Sequence, residues 1–429
     1  GFKGMMVAYG LNKQGKSVCI IDNGSLLGGF MAPMNWQGVD IDKGPQYLDG
    51  ITEQQKVILD DIMSDHESLT SLDFCYASYW NGHTTNGFAI PDYRSLSKQE
   101  KALLLWESIT EKPVEGNLAC IADTFTADNE VSSKYISKWC NKFVSTVPEN
   151  LSLINLNFVT FFGRKLLLGN DLSLDLKQHP RMDDAIAAQK KVINHNTYNL
   201  YPKGKTLGYF REAFESKLSK MGVASRLKST VTQVDRCDNG YLVAVNAEDR
   251  AEQLQAKAVY CAGTIESSES LLLGEEKLKA KVQPVSMLFY LIELEKEMDL
   301  PFYTMNYSED SVARVTNFNA YGQKSTNGKA VICVEVPAPK DSERWKDPES
   351  HFPQVCQELL AMGISGFCQH QAFGIPSTYR LALKGYEDVL EQMLGKVKDK
   401  YGEDVCILTP HLLTRSSIMT DLMEQGILQ

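Results

Sequence analysis

The first part of the chain changes from a helical to a strand-like pattern of apolar residues, with glycines at the boundaries. After Gly1 and Gly4, small and apolar side chains continue with helical spacing from Met5 to Lys13. A short β-rich apolar run then ends in Asp22. This order predicts a helix followed by a parallel strand, which is most of a βαβ unit. We expect the first strand and first glycine of that unit to precede Gly1.

The rest of the chain continues to alternate between helical and strand-like segments, which predicts an α/β protein. Thr52 and Gln55 have the spacing of a helix capping box. Further helices are predicted at 96–110, 129–147, 207–221 and 381–401. Further strands are predicted at 230–234, 241–245, 256–262, 285–292, 311–315, 330–336 and 405–408.

The glycines around the first helix suggest a specific chemistry. Gly1 and Gly4 have the spacing of the second and third glycines of a G-x-G-x-x-G loop, which let a pyrophosphate approach the backbone and let helix and strand pack closely. The helix N-terminus presents free N–H groups to such an anion. Asp22, at the end of the next strand, can accept hydrogen bonds from both hydroxyls of an adenosine ribose. These residues predict a dinucleotide site, with an ordinary glycine turn as the alternative.

Composition narrows the class of protein. The chain has 429 residues, more than one hydrophobic core usually serves, so we expect two domains. Its formal net charge of −10 argues against a nucleic-acid partner. The longest apolar run, 285–292, is too short to cross a bilayer. Ten scattered cysteines with no C-x-x-C pair are typical of a reduced cytoplasmic protein and predict no metal site.

The segment after Asp22 resembles a flavoprotein family. Leu27-Gly28-Gly29 and the later Gly44-Pro45 turn resemble the amine oxidase and protoporphyrinogen oxidase superfamily, and UDP-galactopyranose mutases look similar over the same stretch. The resemblance implies FAD rather than NAD as the cofactor. It adds Gly28, Gly29 and Gly44 to the predicted cofactor-binding residues. It also implies that Val231, in the strand that returns to the cofactor domain, contacts the adenine through its main chain.

The chain departs from the family pattern at three turns. Phe30 follows the double glycine where many members have Arg, so neutralisation of the phosphates is lost or supplied elsewhere. Gln46 stands where the family's Gly-Pro turn continues with His. Near the C-terminus, Thr409-Pro410-His411 replaces the usual Gly-Arg or Gly-Asp.

The same resemblance implies a domain organisation. A discontinuous Rossmann-like FAD-binding domain would comprise 1–75, 200–275 and 385–429. An inserted substrate-binding domain, built of a mixed β-sheet with helices, would comprise 76–199 and 276–384.

Three residues are predicted at the catalytic centre. Arg314 lies in an apolar strand, where a guanidinium needs an acidic partner or an anionic ligand. The stretch 373–379 resembles a family segment that lies near the flavin. Tyr379 within it, and His370 just before it, are therefore predicted to line the site.

Three functions are compatible with these features. The first is an FAD-dependent oxidoreductase that transfers a hydride from a small organic substrate to the flavin. The second is a mutase-like enzyme acting on a nucleotide sugar, in which Arg314 and Arg380 grip the diphosphate. The third is a binding subunit that keeps the flavoprotein fold without its chemistry. A homo-oligomer is compatible with all three.

Overall fold

The computed structural model describes residues 1–72, 75–110, 118–124, 130–157, 164–188, 197–247, 250–408 and 414–429. The chain forms two compact units. Unit 1 comprises 1–73, 195–281 and 386–429, and unit 2 comprises 74–194 and 282–385. The cofactor and substrate roles that the sequence predicts for two such domains remain predictions.

The helices of the described residues are α1 (Phe2–Lys13), α2 (Glu53–Ile62), α3 (Lys98–Thr110), α4 (Glu130–Trp139), α5 (Asn170–Leu176), α6 (Pro180–Ala185), α7 (Leu207–Lys220), α8 (Ile265–Leu273), α9 (Glu343–Lys346), α10 (Pro348–Ala361), α11 (Tyr386–Tyr401) and α12 (Arg415–Glu424).

The strands are β1 (Cys19–Ile21), β2 (Met34–Trp36), β3 (Val39–Ile41), β4 (Leu48–Thr52), β5 (Thr70–Ser71), β6 (Tyr76–Trp80), β7 (His83–Asn86), β8 (Thr197–Tyr201), β9 (Ala224–Arg226), β10 (Ser229–Cys237), β11 (Gly240–Ala247), β12 (Ala251–Ala256), β13 (Val259–Cys261), β14 (Val282–Leu294), β15 (Tyr303–Asn306), β16 (Arg314–Asn317), β17 (Val331–Pro337), β18 (Phe367–Ala382) and β19 (Val405–Ile407).

Unit 1 is built around α1. The helix is buried on almost every side, as its apolar sequence requires, and it contacts α7, α12, β1 and β13. Strand β1 pairs in parallel with β9, and β13 pairs in parallel with β19. Strands β10, β11 and β12 form an antiparallel sheet, β2 pairs with β3, and β8 pairs with both β4 and β5. Helix α1 thus contacts both of these parallel strand pairs.

Unit 2 is built on one mixed sheet with the strand order β18-β14-β17-β16-β15-β6-β7. One face of the sheet is apolar and packs on α10, in a cluster that includes Leu288, Tyr290, Val334, Val355 and Leu359. Aromatic side chains from β6, α4 and the segment after β15 form a second cluster. The face of the sheet opposite α10 carries charged and aromatic residues.

Most of the predicted elements are present, and the largest difference lies near residue 381. The Thr52–Gln55 capping box at the start of α2 is confirmed by both of its hydrogen bonds. The helix predicted from 381 begins instead at Tyr386, because 367–382 forms the edge strand β18 on β14. Pro376 lies in a register shift of that edge strand, where its missing N–H is tolerated.

One further prediction is corrected in detail. The helix predicted over 129–147 ends at Trp139 and continues as a π-helical turn, Cys140–Val144. Thr409-Pro410-His411 lies outside the described residues. Within the described ranges, no helix is long and apolar enough to span a membrane. The same ranges contain no group of three or more His, Cys, Asp or Glu residues that could hold a metal ion.

Candidate functional site

Three glycines bring backbone segments of unit 1 together at the start of α1. Gly1 is the N-cap residue of the helix. A Cβ atom on Gly29 would lie 3.5 Å from Cα of Gly1, and one on Gly4 would lie 3.3 Å from Cβ of Ala262, just after β13. The turn and the strand therefore approach the helix closely at its N-terminus.

Asp22 lies beside this helix N-terminus. Its Oδ1 atom accepts a hydrogen bond of 2.8 Å from the backbone N–H of Gly24. Its Oδ2 atom is 3.4 Å from the nitrogen of Gly1. The side chain is 23% exposed. The structure thus places Gly1, Gly29 and Asp22 together and fixes one carboxylate oxygen of Asp22.

Gly28 allows a buried arginine to pack under the double glycine. Its φ of +101° lies in the left-handed region, and a Cβ there would be 2.5 Å from Cγ of Arg211. The Arg211 guanidinium donates hydrogen bonds to Glu215 (2.6 Å) and Glu212 (3.1 Å). Phe30, where the family pattern has Arg, is 44% exposed. The sequence did not indicate Arg211, because it lies on α7, far along the chain from the Gly28-Gly29 turn under which it packs.

Gly44 lies in a turn that is anchored elsewhere in unit 1. Asp42, which is 1% exposed, accepts hydrogen bonds from the hydroxyl of Tyr201 (2.5 Å) and from the N–H of Leu207 (3.0 Å), so this hairpin is tied to the start of α7. Gln46, at the family's His position, accepts a hydrogen bond from Arg415 of α12. Hence the Gly44 turn connects two helices.

Val231 lies on β10, opposite Val245 of β11 and at a register shift of the pair. Its side chain is half-buried. Its predicted main-chain contact with the adenine remains a prediction.

A lysine that sequence analysis did not single out lies in the first turn of α1. Lys3 Nζ donates a hydrogen bond of 2.7 Å to the carbonyl oxygen of Leu408, just after β19. Burial lowers the pKa of Lys3 to about 8, against the opposing effects of Asp421 and Cys261. The available signal was a basic residue between the two glycines.

In unit 2, Arg314 has the acidic partner that its position in an apolar strand requires. Nε and Nη2 donate to the two carboxylate oxygens of Glu335, over 2.8 and 2.7 Å. The two residues are directly opposite each other on β16 and β17. Glu335 is 2% exposed. Burial opposes the charge of Arg314, but the Glu335 carboxylate outweighs it and raises the pKa of the guanidinium.

Aromatic side chains flank this ion pair. The Arg314 guanidinium lies 5.6 Å from the centre of the Tyr303 ring. On the other side, Phe289 is opposite Glu335, and its ring stacks on Phe373 with centroids 5.1 Å apart. The ion pair is therefore part of a continuous row across four strands.

Tyr379 belongs to the same region of unit 2. Its hydroxyl donates a hydrogen bond of 3.2 Å to the carbonyl of Phe143, in the π-helical turn. Burial raises the pKa of the Tyr379 phenol, and the nearby charge of Arg314 offsets this only in part. The structure thus brings Tyr379 and Arg314 together, with the phenol in its neutral form.

His370 lies on the opposite face of the same sheet. It is opposite Ile292, which packs against the α10 side, and its ring stacks on Phe352 of α10. Its Nε2 atom is 2.7 Å from a carboxylate oxygen of Glu349. Because side chains alternate between the faces of a strand, His370 and Arg314 do not belong to one site.

Comparisons with known proteins agree with this architecture. Residues 1–62 match the NAD(P)-binding Rossmann-like domain family. No curated protein matches the sequence. A putative protoporphyrinogen oxidase from Exiguobacterium sp. 255-15 is similar in structure, with a TM-score of 0.67 and 15% identity over 100% of this chain and 97% of that chain. The chain shares the fold of that structure.

Two further solved structures are similar. Reduced UDP-galactopyranose mutase has a TM-score of 0.70 and 14% identity, over 95% of this chain and 86% of that chain. Cyclohexylamine oxidase from Brevibacterium oxydans IH-35A has a TM-score of 0.61 and 12% identity, over 100% of this chain and 96% of that chain. The predicted α/β fold and the resemblance to the amine oxidase and protoporphyrinogen oxidase superfamily are confirmed at the level of the fold.

Proposed function

We propose that this chain binds FAD in unit 1 and is an oxidoreductase that accepts a hydride from a small organic substrate. The observation that carries the proposal is the arrangement of Gly1, Gly29 and Asp22 at the start of α1. Closely packed glycines and a carboxylate beside a helix N-terminus are the features that a dinucleotide needs.

The residues present fit FAD in a defined way. The first N–H groups of α1 would bind the diphosphate, and the carboxylate of Asp22 would accept hydrogen bonds from the ribose hydroxyls. Gly28 and Gly29 keep the following turn clear of side chains at this point. Gly44 and Val231 are proposed as further contacts on neighbouring elements. FAD, when bound, supplies a ring that accepts a hydride, while the protein orients the substrate and excludes water.

Unit 2 is proposed to bind the substrate on the sheet face that carries Arg314. Tyr303, Phe373 and Tyr379 offer aromatic surface, and the Tyr379 hydroxyl is held by a backbone carbonyl. Nε and Nη2 of the Arg314 guanidinium both donate to Glu335, so the positive charge of Arg314 is already balanced by a carboxylate. A balanced and aromatic surface suits an apolar or weakly polar organic molecule better than a diphosphate. This favours the oxidoreductase over the mutase.

Anaerobic reduction tests the proposal against its alternatives. The FAD-loaded protein should lose its flavin colour when amines or other hydride donors are added without oxygen, and regain it with oxygen. A mutase would need prior reduction by dithionite and would bind UDP-sugars in a calorimeter. Binding of UDP-sugars without any donor that bleaches the flavin would replace the proposed reaction with the mutase reaction.

A further inference from the structure

Cys368 lies in a bulge at the edge of the unit 2 sheet. On β14, Glu293 is opposite Gln369 of the edge strand β18. The next residue, Leu294, is opposite Phe367, so Cys368 is the extra residue of a β-bulge. Bulges at the edges of sheets redirect a side chain. The Cys368 side chain is exposed, so small reagents in solution reach its thiol.

The ammonium of Lys329 lies against this thiol. Its Nζ atom donates a hydrogen bond of 3.4 Å to Sγ of Cys368. The same Nζ atom is 3.4 Å from one carboxylate oxygen of Glu293, whose side chain is 2% exposed. The amide of Gln369, the residue after Cys368, donates to the other oxygen of Glu293 over 3.1 Å. One buried carboxylate therefore holds both the ammonium and the strand that carries the thiol.

A short turn before β17 fixes the backbone of Lys329. The N–H of Lys329 donates to Oγ of Ser325 over 3.2 Å, and the N–H of Ser325 donates to the carbonyl of Lys329 over 3.0 Å. The pKa of the Lys329 ammonium is raised, by the hydrogen bond to Cys368 first and the one to Glu293 second. Lys329 is therefore charged at neutral pH. A thiolate beside such a cation is the form of cysteine that reacts with peroxides.

We propose that Cys368 and Lys329 form a peroxide-reactive pair that closes into a covalent sulfur–nitrogen bond. After the thiol has lost its proton to water, the thiolate attacks one oxygen of hydrogen peroxide. The S–O bond forms, the O–O bond breaks, and the sulfur is oxidised by two electrons to a sulfenic acid. The departing hydroxide takes a proton from the Lys329 ammonium and leaves as water, so the amine becomes neutral beside the new sulfenic acid.

The second step joins the two side chains. The Lys329 amine attacks the sulfur, the S–N bond forms, and the S–O bond breaks. The hydroxyl leaves with a proton from the amine as water, and a sulfenamide remains. Two molecules of a thiol reductant reverse the step, because they become a disulfide and restore both the Cys368 thiol and the amine. The bond thus protects the sulfur from irreversible oxidation and ties the edge strand β18 to the turn before β17.

Peptide mapping of the oxidised protein tests the bond directly. The full chain is treated with hydrogen peroxide and digested with chymotrypsin, which does not cleave at lysine. Mass spectrometry should find the peptides of Lys329 and Cys368 joined, with the mass of the two together less two hydrogen atoms. Treatment with dithiothreitol should separate them again.

Three variants distinguish the charge of Lys329 from its amine. Lys329→Arg keeps the charge but lacks the amine, so the cross-link should be lost and dimedone should capture a sulfenic acid at Cys368. Lys329→Met lacks both, so oxidation of Cys368 should be about 10-fold slower, with Cys75, also exposed in unit 2, unchanged. Lys324→Met removes an exposed lysine that pairs with Glu297, and should keep the rate and the cross-link of the parent.

Two results would overturn the inference. One is a parent that accumulates sulfenic acid at Cys368 and forms no bond to Lys329. The other is oxidation of Cys368 at an equal rate in the parent and in Lys329→Met. The experiment uses neither FAD nor a substrate, so its failure would leave the proposed function untouched.

Discussion

The two units build their candidate sites in different ways. In unit 1, the central part of the candidate cofactor site lies within residues 1–29, where glycines, a helix start and Asp22 follow one another along the chain. In unit 2, the candidate substrate site includes a row of four aligned residues on β16, β17, β14 and β18. Only strand register brings these residues together, which are Arg314, Glu335, Phe289 and Phe373.

The residues of the two sites therefore contribute in different ways. The glycines of unit 1 contribute by having no side chain, because this lets backbone and ligand approach each other. Arg314 and Glu335 act by pairing, since Glu335 would be a buried, unbalanced charge without Arg314. A change at Asp22 or at these glycines should therefore mainly alter ligand affinity, whereas a change in the ion pair should mainly alter stability.

The largest expected effect is on the ion pair of unit 2. Glu335→Ala leaves the Arg314 guanidinium, whose side chain is 28% exposed, without its bidentate partner, and should lower the free energy of unfolding by about 3 kcal/mol. Urea denaturation followed by circular dichroism measures this change.

A double variant provides the control for that experiment. Arg314→Met with Glu335→Leu removes both charges and keeps the volume, so it should be more stable than Glu335→Ala alone. If the single variant loses less than about 1 kcal/mol, the pair is only a surface contact and the contrast between the units disappears.

The second effect is on the ribose carboxylate of unit 1. Asp22→Ala removes two charged hydrogen bonds to the ligand and should raise the dissociation constant of FAD about a hundredfold. The free energy of unfolding without ligand should change by less than about 1 kcal/mol. The reason is that the main interaction lost within the protein is the hydrogen bond from the Gly24 N–H to the Asp22 carboxylate. Asp60→Ala, which removes an exposed partner of Lys56, serves as the control. Unchanged affinity in Asp22→Ala would show that the carboxylate does not bind the ribose.

A smaller effect concerns the pH dependence of unit 1. The folded protein holds Lys3 with a pKa of about 8, below the ordinary value of 10.5, so the unfolded chain binds more protons between these two pH values. The free energy of unfolding should therefore rise with pH over this window, by about 1–2 kcal/mol from this group after allowance for solvent screening. Subtracting the profile of Lys3→Met isolates the contribution. Parallel profiles for the two proteins would contradict the lowered pKa.

The smallest effect concerns the N-terminal cap of helix α2 in unit 1. Thr52→Ala removes the side chain that accepts a hydrogen bond from the N–H of Gln55, and should cost about 1 kcal/mol. Equilibrium unfolding in urea is precise enough to detect it. A cost near zero would mean that the Thr52 side-chain cap contributes little to the stability of α2.

Sequence reasoning succeeded where structure depends on neighbours along the chain. The capping box at Thr52 and the helix α7 follow from local spacing, and both are present. The helix predicted from 381 starts late because pairing of β18 with β14 overrides local helical spacing. The partner of Arg314 was predicted only as a type of residue, since the register of β16 against β17 depends on the whole sheet.

His370 shows a signal that was available but unused. It lies close to Phe373 in sequence, and proximity alone suggested a shared site. An odd separation within one strand puts two side chains on opposite faces. Applied to β18, this rule assigns Phe373 to the face of Arg314 and His370 to the face of α10.

The central claim is that unit 1 holds FAD at the start of α1, and direct loading tests it. The purified chain is incubated with FAD, freed of unbound cofactor by gel filtration, and examined by absorbance beside Asp22→Ala. We expect the parent to retain flavin bands in proportion to its protein content, and Asp22→Ala to lose most of them. A parent without flavin bands, in a preparation whose circular dichroism shows a folded α/β protein, would contradict the account.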